Sequence, residues 1–283
     1  MKAREKVMEF VFLFTAVISI VAVALICVFL FANGIPAMNE IGFAEFLTGE
    51  KWKPGNNKYG IFPMIIGSIY VTGGALVIGV PIGILMSIFM AKFCPDRIYK
   101  VIKPIVDLLA GIPSIVYGFF GLVVLVPFIR EHFKSNGQSI LCAAILLGIM
   151  ILPTIIGASE PAIRAVERSY YEGALALGAT HERSVFTVVV PAAKSGIFAS
   201  VILGVGRALG ETMAVMMVVG NQPRVPDSFL KGVRTLTTNI VLEMGYATDL
   251  HREALIATGV VLFVFILIIN LCFSLIKRKS GKA

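Results

Sequence analysis

The chain has 283 residues, 57% of them hydrophobic and 15% charged, with a mean hydropathy of +0.89. No water-soluble domain of this size has that composition, so the sequence describes an all-α polytopic membrane protein surrounded by lipid. Its net charge of +8 does not mark a nucleic-acid binder, because the basic residues sit at the ends of apolar runs and not in one patch interleaved with aromatics.

The N-terminus, Met1-Lys2-Ala3-Arg4-Glu5-Lys6, resembles the start of a signal peptide. The apolar run behind it, from Val7 to Ala32, is too long for one, and no small-x-small site closes it. It is expected to be a retained first membrane helix. Six apolar segments reach spanning length, at 8–32, 64–91, 105–129, 139–158, 197–220 and 254–276. An even number puts both termini on one side. The connections on that side carry 15 Lys and Arg against 9 on the other, which places both termini in the cytoplasm. The expected organisation is a first helix and outer loop at 1–63, the body of the bundle at 64–276, and a basic tail at 277–283.

The outer loop 33–63 is polar and turn-rich, with Pro54-Gly55-Asn56-Asn57 and the single tryptophan, Trp52. It reads as a lid or as a surface for a partner. In the second segment, Gly79-x-x-x-Gly83 permits close helix approach, and Pro81 suggests a kink. The third segment carries Asp107 near its cytoplasmic end and then Gly111-Ile112-Pro113-Ser114. Two readings stand here: a kink that shapes the bundle, or a break after which a new helix offers free N–H groups, with Ser114 at its start, to an anion.

The cytoplasmic connection 159–196 is expected to be helical from Glu160 through Ala176, with Gly178 as the stop. A hairpin held out between two membrane helices either docks a cytoplasmic partner or covers the bundle. The fifth segment holds Gly204-Val205-Gly206-Arg207-Ala208-Leu209-Gly210-Glu211-Thr212. An arginine and a glutamate at mid-membrane cost about 2.5–3.5 kcal/mol each on insertion scales. At 1.5 Å per residue Arg207 lies about 15 Å in from Ile197, and Glu211 is expected one turn further on the same face. Arg207 is either the charge that meets an anion or half of an internal ion pair. Gly206-x-x-x-Gly210 is expected to serve helix packing. The last outer loop, 221–253, shows no long apolar run, and Lys277-Arg278-Lys279 anchors the sixth helix.

No P-loop, zinc-protease motif or nucleophile elbow occurs, so the chain reads as a non-enzyme with no cofactor of its own. Cys27, Cys94, Cys142 and Cys272 lack metal spacing, and His132, His181 and His251 are far apart. No metal site is expected, and the histidines read as solvated or interfacial.

Glu172-Gly173-Ala174, Gly178 and Val190-Pro191 resemble the cytoplasmic loop shared by permease subunits of bacterial ATP-binding-cassette (ABC) importers, with Gly173 in place of its first alanine. Three blocks carry a narrower resemblance, to the inorganic phosphate importer and its PstC-type permease more than its PstA type. They are the runs 111–121, 173–180 and 206–215, and the later Gly220-Asn221 agrees with them. The resemblance covers about residues 64–276. It implies a second permease, two copies of a cytoplasmic ATPase that holds ATP and Mg, and an extracytoplasmic phosphate-binding protein, in the inner membrane. It implies ATPase coupling through Glu172, Gly173, Ala174 and Gly178, and a substrate pathway at Arg207 and Glu211, to which Thr212 and Ser114 are added here. Glu211 is expected to accept a hydrogen bond from the proton that phosphate keeps at neutral pH and to repel sulfate, which has none. The rivals are a permease for sulfate or molybdate and an ion-driven secondary transporter. The latter should show an internal repeat of helices, and none is evident.

Overall fold

A computed structural model describes residues 2–280, with side chains described for 4–275. Of the basic tail expected at 277–283, the last three residues and the side chains of the others lie outside the described residues.

Helix α1 (Lys2–Ile41) runs past the expected end at 32 and continues through Gly34 and Pro36. Gly34 is where it crosses the last helix: a Cβ there would stand 2.6 Å from the Val260 side chain and 3.1 Å from the Ala257 Cα. After α2 (Phe43–Thr48), a small hairpin of β1 (Trp52–Lys53) and β2 (Lys58–Tyr59) pairs Trp52 with Tyr59. Asn57 turns it with a left-handed φ of 52°.

Helix α3 (Phe62–Ile88) ends in a wide turn of π type, Phe89–Phe93, and packs parallel to α7 (Ile140–Arg164). Glycines set their separation, since a Cβ on Gly79 would meet Ile151 at 2.7 Å and one on Gly83 would meet Ile155 at 2.8 Å. In lipid, where apolar burial gives helices little reason to associate, such close van der Waals contact holds them together. Between them in sequence lie α4 (Asp96–Gly111), α5 (Ser114–Phe120), a second wide turn at Gly121–Leu125, and α6 (Val126–Phe133).

Beyond α7, α8 (Arg168–Ala176) is a separate helix. The single helix expected from Glu160 to Ala176 is therefore two: α7 carries Glu160 to Arg164, and the chain turns at Ala165–Glu167. Then α9 (His181–Ser184), a wide turn at Val185–Val189 and α10 (Val190–Ala192) lead through a 69° bend into α11 (Lys194–Gly210). The fifth span thus begins earlier than 197. It also stops at Gly210, before α12 (Met213–Val218). A capped α13 (Leu236–Glu243) and the long α14 (Asp249–Ser280) follow. Among the described residues five helices are long and apolar enough to cross a membrane, or six with the bent pair, in agreement with the six expected.

The main core surrounds α7, where Leu146, Leu147, Ile151 and Ile155 meet α3, α5 and α12. A second core lies at the end that holds the hairpin. Ala37, Met38, Phe46, Trp52 and Tyr59 pack there with Leu236, Leu255 and Ala257, so the outer loop roofs the start of α14. This end meets water, and burying side chains such as Phe46 and Leu236 contributes about 1.5–3 kcal/mol each.

Candidate functional site

Two of the spans are interrupted. The first break is Ile112–Pro113, where both residues are extended and α5 restarts at Ser114 with no side-chain cap. Proline cannot continue α4, and it holds the preceding Ile112 out of helical geometry. The second is Glu211, extended at φ −72°, ψ 124°, between α11 and α12. The restarted helices α5 and α12 run parallel and touch closely. A Cβ on Gly118 would stand 2.7 Å from the Met217 sulfur and 3.0 Å from the Ala214 Cα, and one on Gly121 would stand 2.7 Å from Val218. Counting back one helical turn from the Gly118–Ala214 contact reaches Ser114 on one side and the 210–212 break on the other. Ser114 opens α5, and Glu211 and Thr212 directly precede α12, so they sit at the starts of two touching helices, with Arg207 in the last turn of α11.

Glu211 does not occupy the helical face expected for it, because α11 has already ended. Its Oε1 accepts from the Ala214 N–H at 3.2 Å and so serves the first turn of α12. The Thr212 hydroxyl donates to the Gly210 carbonyl at 3.2 Å. Among the described residues Arg207 has no carboxylate within ion-pair distance. The internal Arg207–Glu211 pair is therefore not formed, and Arg207 is exposed.

The glycines beside it also differ from expectation. A Cβ on Gly206 or Gly210 would meet nothing within 4 Å, whereas one on Gly204 would meet Ile155 at 3.1 Å. Close packing falls on Gly204, with buried Val205 and Ala208, and the face carrying Gly206, Arg207 and Gly210 is open.

Three further groups support the breaks, and none was singled out from sequence. The Tyr117 hydroxyl donates to the Leu109 carbonyl at 2.9 Å and so bridges the first break. The Thr237 hydroxyl donates to the Glu211 carbonyl at 3.4 Å, and Ser68 Oγ accepts from the Leu236 N–H at 3.0 Å. Residues 233 and 235–239 of the last outer loop are buried, although the loop shows no long apolar run. The Thr-Leu-Thr-Thr-Asn run enters the bundle because its hydroxyls find partners there, a signal that apolar periodicity does not carry.

The chain also holds a saturated cluster. Glu243 is 7% exposed and accepts from Trp52 Nε1 at 2.8 Å, from Arg234 at 2.5 Å and from His251 Nε2 at 2.9 Å. Burial alone would push the Glu243 carboxyl up. The hydrogen bonds from Trp52, His251 and Arg234, with the Arg234 charge, outweigh it and hold the group below the usual carboxylate range. His251 is therefore part of a network and not a solvated side chain. His181 likewise meets Phe93 edge-on at 4.7 Å between centroids and shares a hydrogen bond with the Tyr171 hydroxyl at 2.7 Å.

At the end of the bundle away from the Trp52–Tyr59 hairpin, α8 buries none of its residues. Glu172 pairs with Arg168 at 2.7 Å, Gly173 faces open space, and Gly178 stops the helix with a φ of +83°. Leu177 is 91% exposed. All four cysteines are free, and no metal-binding cluster occurs among the described residues.

The chain is similar to known proteins. The family described as binding-protein-dependent transport system inner membrane component matches residues 79–282. A probable ABC transporter permease protein of Bacillus subtilis, YqgH, is 43% identical over 90% of this chain and 86% of its own. The phosphate transport system permease protein PstC of Mesorhizobium japonicum is 35% identical over 90% and 84%. A probable PstC of the archaeon Methanocaldococcus jannaschii is 32% identical over 95% and 93%. Among solved structures, a bacterial ABC transporter involved in alginate import matches with a TM-score of 0.65 and 14% identity, over 99% of both chains. The inward-facing MetNI methionine transporter matches with a TM-score of 0.57 and 21% identity, over 78% of this chain and 94% of its own. At those identities the structural likeness shows the fold alone.

Proposed function

This chain belongs to the family of binding-protein-dependent transport system inner membrane components, and from that premise we propose that it is the permease subunit through which an ATP-driven importer carries inorganic phosphate. The observation that carries the proposal is Arg207: an intramembrane guanidinium without an ion-pair partner among the described residues, on a glycine-opened helix face beside two breaks. A planar guanidinium suits an oxyanion better than an ammonium does. The relatives named for phosphate transport support that oxyanion over sulfate or molybdate.

The pathway lies between this chain and a second permease, lined on this side by Arg207, Glu211, Thr212 and Ser114. A binding protein delivers phosphate at the outer face. Arg207 holds its charge, and Glu211 accepts a hydrogen bond from the proton that phosphate retains and repels the fully ionised sulfate. Two copies of a cytoplasmic ATPase dock on α8, where the exposed Leu175 and Leu177 offer apolar contacts and Glu172, Gly173, Ala174 and Gly178 shape the helix. ATP and Mg belong to that partner. Both termini lie in the cytoplasm, as the excess of Lys and Arg on that side supports.

The test is ATP-dependent uptake of labelled phosphate by the reconstituted complex, with sulfate as competitor and Arg207→Gln alongside. Uptake that ignores sulfate and collapses in the variant is expected. Uptake that survives the variant would remove Arg207 from the pathway, and uptake abolished by sulfate would overturn the substrate.

A further inference from the structure

At the cytoplasmic end of the bundle one buried carboxylate gathers groups from segments far apart in sequence. Glu160, 2% exposed, accepts from the Tyr99 hydroxyl of α4 at 3.0 Å and from Arg164 one turn along α7. Lys103 of α4 stands 3.8 Å from its second oxygen. Arg164 also donates to the Met90 carbonyl, in the wide turn that ends α3, at 2.7 Å, and its guanidinium lies 4.5 Å over the Tyr99 ring. Beneath this cluster Met90, Val106 and Ile156 form a small apolar core.

We propose that Glu160 is a positioning residue for transport coupling: with Arg164 and Tyr99 it ties the end of α7, from which α8 is hung, to α4, and so relays movement of α8 to the break in front of Ser114. The inference rests on the reading of α8 as the ATPase dock. Its chain of connections is short. Arg164 ends α7 and Arg168 opens α8, so Glu160 and Arg164, with buried Ile163 between them, fix the end of α7 just before a helix that buries none of its own residues. On the other side α4 buries a single residue, Val106, so its hold on the bundle depends on few contacts, and Glu160 is among them. Helix α4 ends at the Ile112–Pro113 break, across which the Tyr117 hydroxyl grips the Leu109 carbonyl. A displacement of α4 therefore reaches Ser114 directly. The Glu160 carboxylate is buried while the Arg164 side chain stays half-exposed, and a buried carboxylate is a poor device for packing alone, since apolar side chains of the same volume pack as well or better. Two basic residues and a phenol around one carboxylate supply contacts that can be exchanged as helices shift.

The experiment uses the full reconstituted complex and reads the ATP hydrolysed per phosphate taken up. Tyr99→Phe removes one hydrogen bond and keeps the ring under Arg164; the ratio is expected to rise about threefold with the ATPase rate within twofold of the parent. Glu160→Gln with Arg164→Gln removes both charges, so neither is left buried and unpaired. That complex is expected to assemble and to waste ATP about tenfold, and Glu160→Asp is expected to recover part of the loss. Parent-like ratios in both the Tyr99→Phe and the double variant would overturn the proposal. A second reading needs no phosphate. Spin labels at Lys100→Cys and Ser195→Cys, in a chain without its native cysteines, should report an ATP-induced distance change in the parent that the double variant loses. The same change in both would also overturn the proposal. Failure of the phosphate reading looks different, because the parent complex would then show no ATP-dependent phosphate uptake at all.

Discussion

Arg207 and Glu211 stand four residues apart in sequence and do not pair, whereas Arg234 and Glu243 stand nine apart and pair at 2.5 Å. The second couple is closed. Trp52 and His251 occupy the other carboxylate positions, and Arg234 is further spent on Asn239 and the Asn221 carbonyl, at 3.1 and 3.2 Å. The first couple is open: Glu211 is drawn off to the start of α12, and Arg207 is exposed on a helix where Gly206 and Gly210 meet no neighbour. A charged group whose partners are all supplied by its own chain stabilises the fold. One held in the membrane with a partner missing is poised for something that arrives. The two couples therefore fail differently when altered.

The largest effect is expected at the closed couple. Arg234→Met leaves Glu243 buried without its cation, a loss of about 3–5 kcal/mol. It should appear as a clear drop in the melting temperature of the purified complex and as early proteolysis of the outer loop. A pH titration sharpens the point. Because the folded carboxyl is held below its ordinary value of 4.5, its contribution is complete above that value and is lost as pH falls below it, through the depressed one. Outer-loop protection, measured by hydrogen exchange, should decline in that acid window in the parent and be flat there in Glu243→Gln.

The open couple should show the reverse pattern. Arg207→Gln forfeits a bidentate charged contact and is expected to lower uptake about 100-fold, equivalent to about 3 kcal/mol, while the melting temperature stays within a degree or two of the parent. A marked loss of stability would break the contrast by making Arg207 a structural residue. Gly210→Leu should lower uptake about tenfold with normal assembly, because its side chain would stand one helical turn from Arg207 and strike nothing in this chain. The smallest effect belongs to Glu211→Gln. Phosphate uptake should change little, while sulfate competition should strengthen about tenfold, or about 1.4 kcal/mol. An unchanged phosphate-to-sulfate ratio would remove Glu211 from selectivity.

Local chemistry made much of this protein readable. Apolar runs long enough to span, basic residues at their ends, Gly79 and Gly83 as contact points and Pro113 as a kink or a break all act within a turn or two of their own position, so sequence order alone exposes them. The candidate pathway was legible as a set of residues, since an arginine in an apolar run stands out by its cost. Its geometry was not. Extrapolating one helix from Arg207 to Glu211 failed because the Thr237 hydroxyl and the Ala214 N–H, groups from outside α11, hold Glu211 extended.

The sequence by itself therefore determined the class of protein, the number of spans and the residues whose charge lipid would not tolerate idle. Tertiary structure decided which charges found partners. It joined Trp52 to Glu243 across 191 residues and Tyr99 to Glu160 across 61, and it left Arg207 exposed. The physical reason is that a polar group in a membrane protein is defined by what satisfies it. Those partners come from whichever helices packing brings alongside, at sequence separations that no local pattern records.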